Sequence, residues 1–87
     1  MAHQIRYDKA AITALKKIQK SIRKRIVNKI EWLAQNAENI NHKSLQGNLS
    51  DFYKLRVGDY RVIYELDNEI KIIIVDYVGH RRDIYKQ

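Results

Sequence analysis

The spacing of apolar residues changes abruptly part-way along this chain, and that change limits the folds open to it. Between residues 12 and 37, apolar residues recur every three or four positions, which is the spacing of one face of an α-helix. From Phe52 onward, β-branched and aromatic residues alternate with charged ones, which is typical of strands. We therefore predict an α+β protein in which a helical first half packs on a mostly antiparallel β-sheet.

The helical half follows a short strand predicted at residues 3–7. Asp8 offers a side-chain oxygen that can cap a helix beginning at Lys9, and Ser21 can cap a second helix. We predict two helices folded as a hairpin between about residues 9 and 38, rather than one long rod. Their shared apolar stripe is expected to form the core: Ile12, Leu15, Ile18, Ile22, Ile26, Ile30, Leu33 and Ala37.

A linker and two hairpins are expected to complete the fold. Residues 36–48 are rich in asparagine and show little periodicity, so they are interpreted as the connection between the two halves. Breaks at Gly58-Asp59 and at residues 67–69 then divide the remainder into strands, the last running from about residue 70 to 78. The predicted order is βααβββ, with a short last strand possible at the tail.

The turn at Gly58-Asp59 predicts the register of the first hairpin and, with it, a cluster of positive charge. It pairs Arg56 with Arg61 and Lys54 with Ile63, so the three cations share one face. Like charges directly opposite each other cost a few tenths to about 1 kcal/mol. Either a bound phosphate offsets this repulsion, or acidic residues do: Asp59, Glu65 or Asp76. The opposite face is expected to pack on the helices: Tyr53, Leu55, Val57, Tyr60, Val62 and Tyr64.

The second hairpin is predicted to turn through a three-residue loop. This loop pairs Leu66 with Ile70 and sets Glu65 opposite Lys71, a favourable pair of opposite charges. The register predicts two sets of apolar residues, with Ile70, Ile72 and Ile74 toward the helices and Ile63, Ile73 and Val75 on the basic face. The second set would provide an apolar floor for a base or for a partner's side chain.

Composition excludes several classes of protein. The 87 residues include no cysteine, which excludes disulfides, thiolate metal sites and a thiol nucleophile. Apolar runs fall short of the roughly 18 residues of a membrane span, and no signal-peptide core is visible, so we expect a single cytoplasmic domain over residues 1–87. The net charge of +7 favours a nucleic-acid partner, although excess charge can also serve solubility alone.

Four segments taken together resemble the RelE/ParE toxin superfamily. They are the L-x-G of Leu45 and Gly47, YKLR at 53–56, YRVIY at 60–64 and GHRRDIY at 79–85. The resemblance covers nearly the whole chain and implies the RelE-like microbial ribonuclease architecture. For the RelE-like branch it implies a type II toxin that cleaves messenger RNA in the ribosomal A site, without a metal or other cofactor, until a cognate antitoxin covers its active face.

The resemblance also implies the residues of the site. Those implied as catalytic are Lys54, Arg61, Arg81 and Tyr85, and those implied as RNA-binding are Arg56, His80 and Arg82. The implied reaction is attack of a ribose 2′-hydroxyl on the adjacent phosphate, with Tyr85 as the expected base and Arg61 as the phosphate ligand. His80 is an alternative proton donor to Arg81, because guanidinium hardly deprotonates. Arg56 stands where some members have lysine, which keeps the charge but removes a proton-transfer group.

Three functions stay open from the sequence. The first is the ribosome-dependent mRNA endonuclease. The second is a ParE-like inhibitor that binds DNA gyrase and cuts nothing, since that branch shares the fold. The third is a nucleic-acid-binding module that uses the basic helices, whose lysines can equally be a solvated surface: Lys16, Lys17, Lys20 and Lys24.

Overall fold

The computed structural model describes residues 2–45 and 51–84. Its elements in chain order are β1 (Gln4–Tyr7), α1 (Lys9–Lys16), α2 (Lys20–Asn36), β2 (Lys43–Ser44), β3 (Tyr53–Val57), β4 (Tyr60–Asp67), β5 (Ile72–His80) and α3 (Arg81–Ile84). The described strands form a sheet in the order β1-β5-β4-β3-β2. β1 pairs with β5 in parallel, and the other pairs are antiparallel. The predicted α+β class and mostly antiparallel sheet are therefore confirmed.

The helices form the predicted hairpin, but they begin differently from the prediction. Asp8 precedes α1 with an extended backbone, yet its side chain makes no capping hydrogen bond. Ser21 lies inside the first turn of α2 instead of capping it. The reason is that the carbonyl of Gln19 already accepts the N–H of Arg23 at 2.9 Å, which starts the helix before Ser21.

The core lies between the helices and one face of the sheet, here called the core face. Most of the predicted apolar stripe is buried there or packs against it. Ile12 is the exception, with 42% of its surface exposed, whereas Ala11 is fully buried. The prediction for Ile12 is wrong because α1 packs against β5 through Ala11 and Leu15, which turns the next position outward.

The first hairpin has the predicted register. Arg56 pairs with Arg61 and Lys54 with Ile63. Gly58 has a φ of 59°, which a tight two-residue turn between twisted strands requires. The predicted division of faces is also confirmed, since the apolar members all lie in the core or pack against it: Tyr53, Leu55, Val57, Tyr60, Val62 and Tyr64.

The second hairpin has a different register from the predicted one. Leu66 pairs with Ile73, three residues beyond Ile70. The loop is longer than predicted because the Asp67 carboxylate accepts hydrogen bonds from two backbone N–H groups of the loop, at 2.9 and 3.2 Å, and so stabilises a wider turn. A shift by an odd number of residues reverses the two faces of a strand.

That reversal changes which residues of β5 reach the core. Ile73 and Val75 are fully buried in the core, and Ile70 is 64% exposed in the loop. Ile72 and Ile74 take the opposite, outer face of the sheet, so the predicted apolar floor on the basic face loses Ile73 and Val75. Lys71, predicted to face Glu65, forms its salt bridge with Glu38, two residues beyond the end of α2, instead.

Two shorter segments also differ from the prediction. Inside the predicted linker, Lys43 and Ser44 pair with β3 as a short strand, and the ladder continues as the N–H of Leu45 donates to the Phe52 carbonyl at 2.9 Å. At the tail, α3 forms where a short strand was possible. Gly47 and Tyr85, both named in the sequence prediction, lie outside the described residues. Among the described helices, none is long and apolar enough to cross a membrane.

Candidate nucleic-acid interface

The outer face of the sheet brings together basic residues from neighbouring strands. Arg56 of β3 lies opposite Arg61 of β4, and Arg61 lies opposite Gly79 of β5. In the next row, Lys43 of β2 lies opposite Lys54 of β3. Because paired residues share a face, these four side chains form one surface, here called the basic surface: Lys43, Lys54, Arg56 and Arg61.

Arg61 is the most enclosed residue of the basic surface, with 8% of its surface exposed. Its Nη1 donates to the carbonyl oxygens of Gly58 at 3.0 Å and Tyr60 at 2.9 Å. A guanidinium is rigid and planar, so anchoring it through one nitrogen fixes the direction of its remaining N–H groups. The β3–β4 turn therefore holds Arg61 in a defined orientation at the edge of the basic surface.

The same turn positions Arg81 at the start of α3. The backbone N–H of Arg81 donates to the Asp59 carbonyl at 2.8 Å, and its Nε lies 3.9 Å from Asp59 Oδ1. Both side chains are more than half exposed, so this ion pair contributes about 1 kcal/mol or less. Arg81 can therefore turn from Asp59 toward a polyanion at little cost.

Arg25 of α2 reaches this turn from the other side. Its Nη2 lies 3.7 Å from the position that a Cβ on Gly58 would occupy. The sequence analysis did not assign Arg25 to the site, because nothing in the local pattern indicates that α2 approaches the turn. The Gly58 turn is thus surrounded by three arginines: Arg25, Arg61 and Arg81.

Gly79, opposite Arg61, leaves room for two apolar side chains on the outer face. A Cβ on Gly79 would lie 2.8 Å from Tyr77 Cε2 and 3.5 Å from Ile84 Cγ1. Tyr77 and Ile84 therefore lie beside the row that contains Arg61, and Tyr77 remains 42% exposed. Tyr85, the predicted base, follows Ile84 in sequence and lies outside the described residues.

His80 does not join the basic surface. It pairs with Tyr60 on the core face, where the two rings pack edge to face with centroids 5.5 Å apart. Its Nδ1 accepts a hydrogen bond from the backbone N–H of Arg82 at 3.2 Å. The Arg82 side chain is exposed at the surface of α3. The structure thus brings together Lys54, Arg56 and Arg61, places Arg81 at the adjoining turn, and turns His80 to the other side of the sheet.

The acidic residues that could neutralise the basic surface are only partly available for this. Asp59 contacts Arg81. Asp76 lies at an irregularity of β5 and forms a hydrogen bond with Glu65, and its Oδ2 is buried without a hydrogen-bond partner among the described residues. Burial, and then the hydrogen bond and charge of Glu65, raise the pKa of Asp76 to about 7. Near neutral pH this pair therefore carries less than its full negative charge.

His42 anchors the chain immediately before Lys43. Its Nε2 donates to the Ala37 carbonyl at 2.7 Å, and Nδ1 of the neutral ring then accepts from the Tyr64 hydroxyl at 2.5 Å. Burial, followed by the nearby Tyr53, raises the pKa of Tyr64, so its hydroxyl keeps the proton that it donates. This contact connects the end of α2 to the core and positions β2. Sequence reasoning missed Lys43 because so short a strand carries no alternating pattern.

Among the described His, Asp and Glu residues, no group of three is arranged to hold a metal ion.

The family of this chain follows from a match over almost its whole length. The family model described as "ParE toxin of type II toxin-antitoxin system, parDE" matches residues 5–85. The chain belongs to the ParE toxin family. This family membership confirms the predicted resemblance to the RelE/ParE toxin superfamily.

Known relatives of this ParE-family toxin are similar in sequence or in fold. Toxin RelG of Mycobacterium tuberculosis is 36% identical over 45 residues, and the match spans 52% of that toxin, about half its length. A chain of the RelB–RelE antitoxin–toxin complex from Methanococcus jannaschii is 33% identical, with 92% of this chain and 94% of that chain covered and a TM-score of 0.69.

More distant structures share the fold. A chain of the RelBE2 toxin–antitoxin complex from Mycobacterium tuberculosis gives a TM-score of 0.84 at 24% identity, with 93% of each chain covered. A mutant of E. coli toxin RelE in the free state gives a TM-score of 0.77 at 23% identity, with 99% of this chain and 93% of that chain covered. These likenesses show that the ParE-family toxin has the RelE fold.

Proposed function

We propose that this toxin is a ribosome-dependent endonuclease that cleaves messenger RNA without a metal. The observation that supports this function is the basic surface, where Lys54, Arg56 and Arg61 share one face and the turn orients Arg61. The 2′-hydroxyl of a ribose loses its proton to the base and attacks the neighbouring phosphate, which gives a phosphorane with added negative charge. The bond from phosphorus to the 5′-oxygen then breaks, leaving a 2′,3′-cyclic phosphate, and the 5′-oxygen takes up a proton. Cations held in place before the reaction stabilise such a state with little reorganisation.

The proposal gives each predicted catalytic residue a role. Arg61 holds the scissile phosphate, and Lys54, on the same face, neutralises charge beside it. Arg81 contacts the phosphate or the leaving group from the adjoining turn. Tyr85 is the base, a role that the sequence resemblance supports.

The remaining basic residues bind the flanking RNA in this proposal. Arg56 and Arg82 are exposed and available to phosphates. His80 would have to leave its contact with Tyr60 before it could bind RNA or donate a proton.

A cognate antitoxin is the proposed protein partner. Solved relatives include chains from the RelBE2 complex of Mycobacterium tuberculosis and the RelB–RelE complex of Methanococcus jannaschii. We infer that an antitoxin segment of negative charge covers the basic surface and competes with RNA for it. The proposed site of action is the cytoplasm, where ribosomes carry the message.

A cleavage assay on ribosomes programmed with a defined message tests the nuclease function. Loss of one preorganised charge at a phosphorane costs about a hundredfold to a thousandfold in rate, so Arg61→Ala should slow cleavage by that order. Tyr85→Phe removes the base and should slow cleavage by about a hundredfold to ten-thousandfold. Lys24→Ala, at an exposed position of α2, is the matched control and should cleave normally. Intact message with the unaltered protein, or normal cleavage by Arg61→Ala, contradicts the proposal.

The family description favours a second candidate, inhibition of DNA gyrase, because the matching family is named for ParE. In that case the basic surface would bind gyrase or its DNA and would cut nothing. Inhibition of supercoiling in a purified gyrase assay, together with intact message on ribosomes, would support this candidate over the nuclease.

A further inference from the structure

We propose that a groove along α1 binds a nucleotide next to the cleaved bond, with its base stacked on Tyr77 and its phosphates held by Lys9 and Lys17. This inference rests on the proposed nuclease function, because it extends the path of RNA already bound on the basic surface. The ligand is single-stranded RNA.

The groove has a volume of about 460 Å³ and follows one side of α1. Its lining is Lys9, Ala10, Thr13, Ala14, Lys17 and Tyr77. Lys9, Thr13 and Lys17 are spaced by four residues, so they lie along one line of the helix surface. At 1.5 Å per residue, the two lysines are about 12 Å apart along the axis. The groove is therefore lined by the small side chains of Ala10, Thr13 and Ala14, with a lysine at each end.

Tyr77 supplies the wall on which a base can stack. Its side chain is 42% exposed, so much of it is not used for packing in the core. Every base has a flat face, and stacking on an aromatic ring is tolerant of sequence. A half-exposed ring beside two cations is thus suited to a single-stranded nucleotide.

Tyr77 lines the groove and also belongs to the outer face of the sheet, which carries the basic surface. Tyr77 pairs with Ile63, and Ile63 pairs with Lys54. Tyr77 also lies beside Gly79, which is opposite Arg61. A strand whose phosphate is held by Arg61 therefore needs only to pass Gly79 to place its next base on Tyr77.

Charge favours an anionic ligand in the groove, although two acidic residues lie next to its lining in the chain. Asp8 precedes Lys9, and Asp76 precedes Tyr77. Asp76 shares a hydrogen bond with Glu65, and its burial raises its pKa to about 7, which reduces the negative charge beside Tyr77. The lining itself contains lysines and no acid.

The shape favours RNA over an amphipathic helix of a protein partner. Apart from Tyr77, the apolar lining consists of Ala10, Ala14 and the methyl group of Thr13. These small side chains form no pocket deep enough for the anchoring residues that a docked helix inserts. A flat base with its phosphates at the rim fits the same lining.

Binding of a short single-stranded RNA with methylated 2′-hydroxyls, which cannot be cleaved, tests the groove by fluorescence anisotropy. Tyr77→Ala should weaken binding about tenfold, whereas Tyr77→Phe should stay within about twofold because it keeps the ring. Lys9→Gln with Lys17→Gln should lower the slope of log Kd against log salt by about 1.4, the value for two phosphate contacts. Lys20→Gln with Lys24→Gln, which removes the same charge outside the lining, is the matched control and should leave the slope unchanged.

Several outcomes would overturn the groove proposal. The unaltered protein could show no measurable binding of the RNA, or Tyr77→Ala could bind it as tightly as the unaltered protein does. The two lysine pairs could also lower the slope of log Kd against log salt equally. Protection of Lys9 and Lys17 from acetylation by a helical peptide rich in Glu and Leu, but not by RNA, would assign the groove to a protein helix and also overturn it.

The ribosome assay keeps this test separate from that of the proposed function. If cleavage depends on Arg61 but RNA binding is unchanged by Tyr77→Ala, only the groove proposal is overturned. If RNA binding depends on Tyr77 but the unaltered protein cleaves no message, only the proposed nuclease function is overturned.

Discussion

Arg61 lies directly opposite Arg56 in the β3–β4 ladder, and its guanidinium is turned back onto the carbonyl oxygens of Gly58 and Tyr60. The sequence left two ways to offset the repulsion between these arginines, a bound phosphate or acidic side chains. The structure adds a third, because carbonyl oxygens carry partial negative charge and accept the guanidinium hydrogen atoms. The turn thus stabilises Arg61 before any ligand arrives.

Replacing Gly58 should disturb both the turn and Arg61. Gly58 has a φ of 59°, where an alanine costs about 1–2 kcal/mol. We expect Gly58→Ala to lower the free energy of unfolding by about that amount and to slow cleavage, because the carbonyl that orients Arg61 moves. Chemical denaturation and the ribosome assay measure the two effects. Gly58→Asn, which tolerates this backbone conformation better, is the control; equal losses for both variants would contradict the explanation.

Replacing Gly79 should displace the ring of Tyr77. The new Cβ of Gly79→Ala would lie 2.8 Å from Tyr77 Cε2, too close for the present position of the ring. We expect a loss of about 1–3 kcal/mol in the free energy of unfolding, as for an overfilled site. In the double variant with Tyr77→Ala the clash is gone, so the two losses should not add. Strict additivity in this double-mutant cycle would show that the ring is not in contact with position 79.

The raised pKa of Asp76 predicts how stability depends on pH. The folded protein holds this proton up to about pH 7, and the unfolded chain releases it near its usual value of 3.8. Stability from this group is therefore complete below about pH 4 and declines as pH rises toward the folded pKa of about 7. Asp76→Asn cannot ionise, so its melting temperature should match the unaltered protein at low pH and exceed it at pH 8.

A second variant tests the cause of that pKa. Glu65→Gln removes the negative charge beside Asp76 and should move the decline in stability to lower pH. Melting curves over the pH range measure both variants. A difference between Asp76→Asn and the unaltered protein that is independent of pH would show that Asp76 titrates normally.

Removing the hydroxyl of Tyr64 should destabilise the junction between α2 and β2. Tyr64→Phe leaves Nδ1 of His42 without its 2.5 Å partner in a half-buried site, which costs about 1–3 kcal/mol. Denaturant unfolding measures this loss. Tyr53→Phe, in the same aromatic cluster, is the control and should cost less, because Tyr53 is only half-buried whereas Tyr64 is buried. If both variants lose the same free energy of unfolding, the hydrogen bond between Tyr64 and His42 adds no particular stability.

Local sequence determined much of the fold and the centre of the candidate site. Helical spacing requires no knowledge of distant residues, so the two-helix hairpin was predictable. The tight turn at Gly58-Asp59 sets the register of its own hairpin, because only one pairing follows from so short a loop. The register of this hairpin alone therefore puts three cations on one face, independently of how the rest of the chain folds: Lys54, Arg56 and Arg61.

Only the tertiary structure decided which other residues join them. The register of the β4–β5 hairpin depends on loop hydrogen bonds from Asp67 and on burial of Ile73 and Val75, and the local pattern fits more than one pairing. Three residues reach the site through pairings or contacts with other elements of the fold: Lys43, Arg25 and Tyr77. Such contacts depend on how completed elements pack, which is a property of the whole fold.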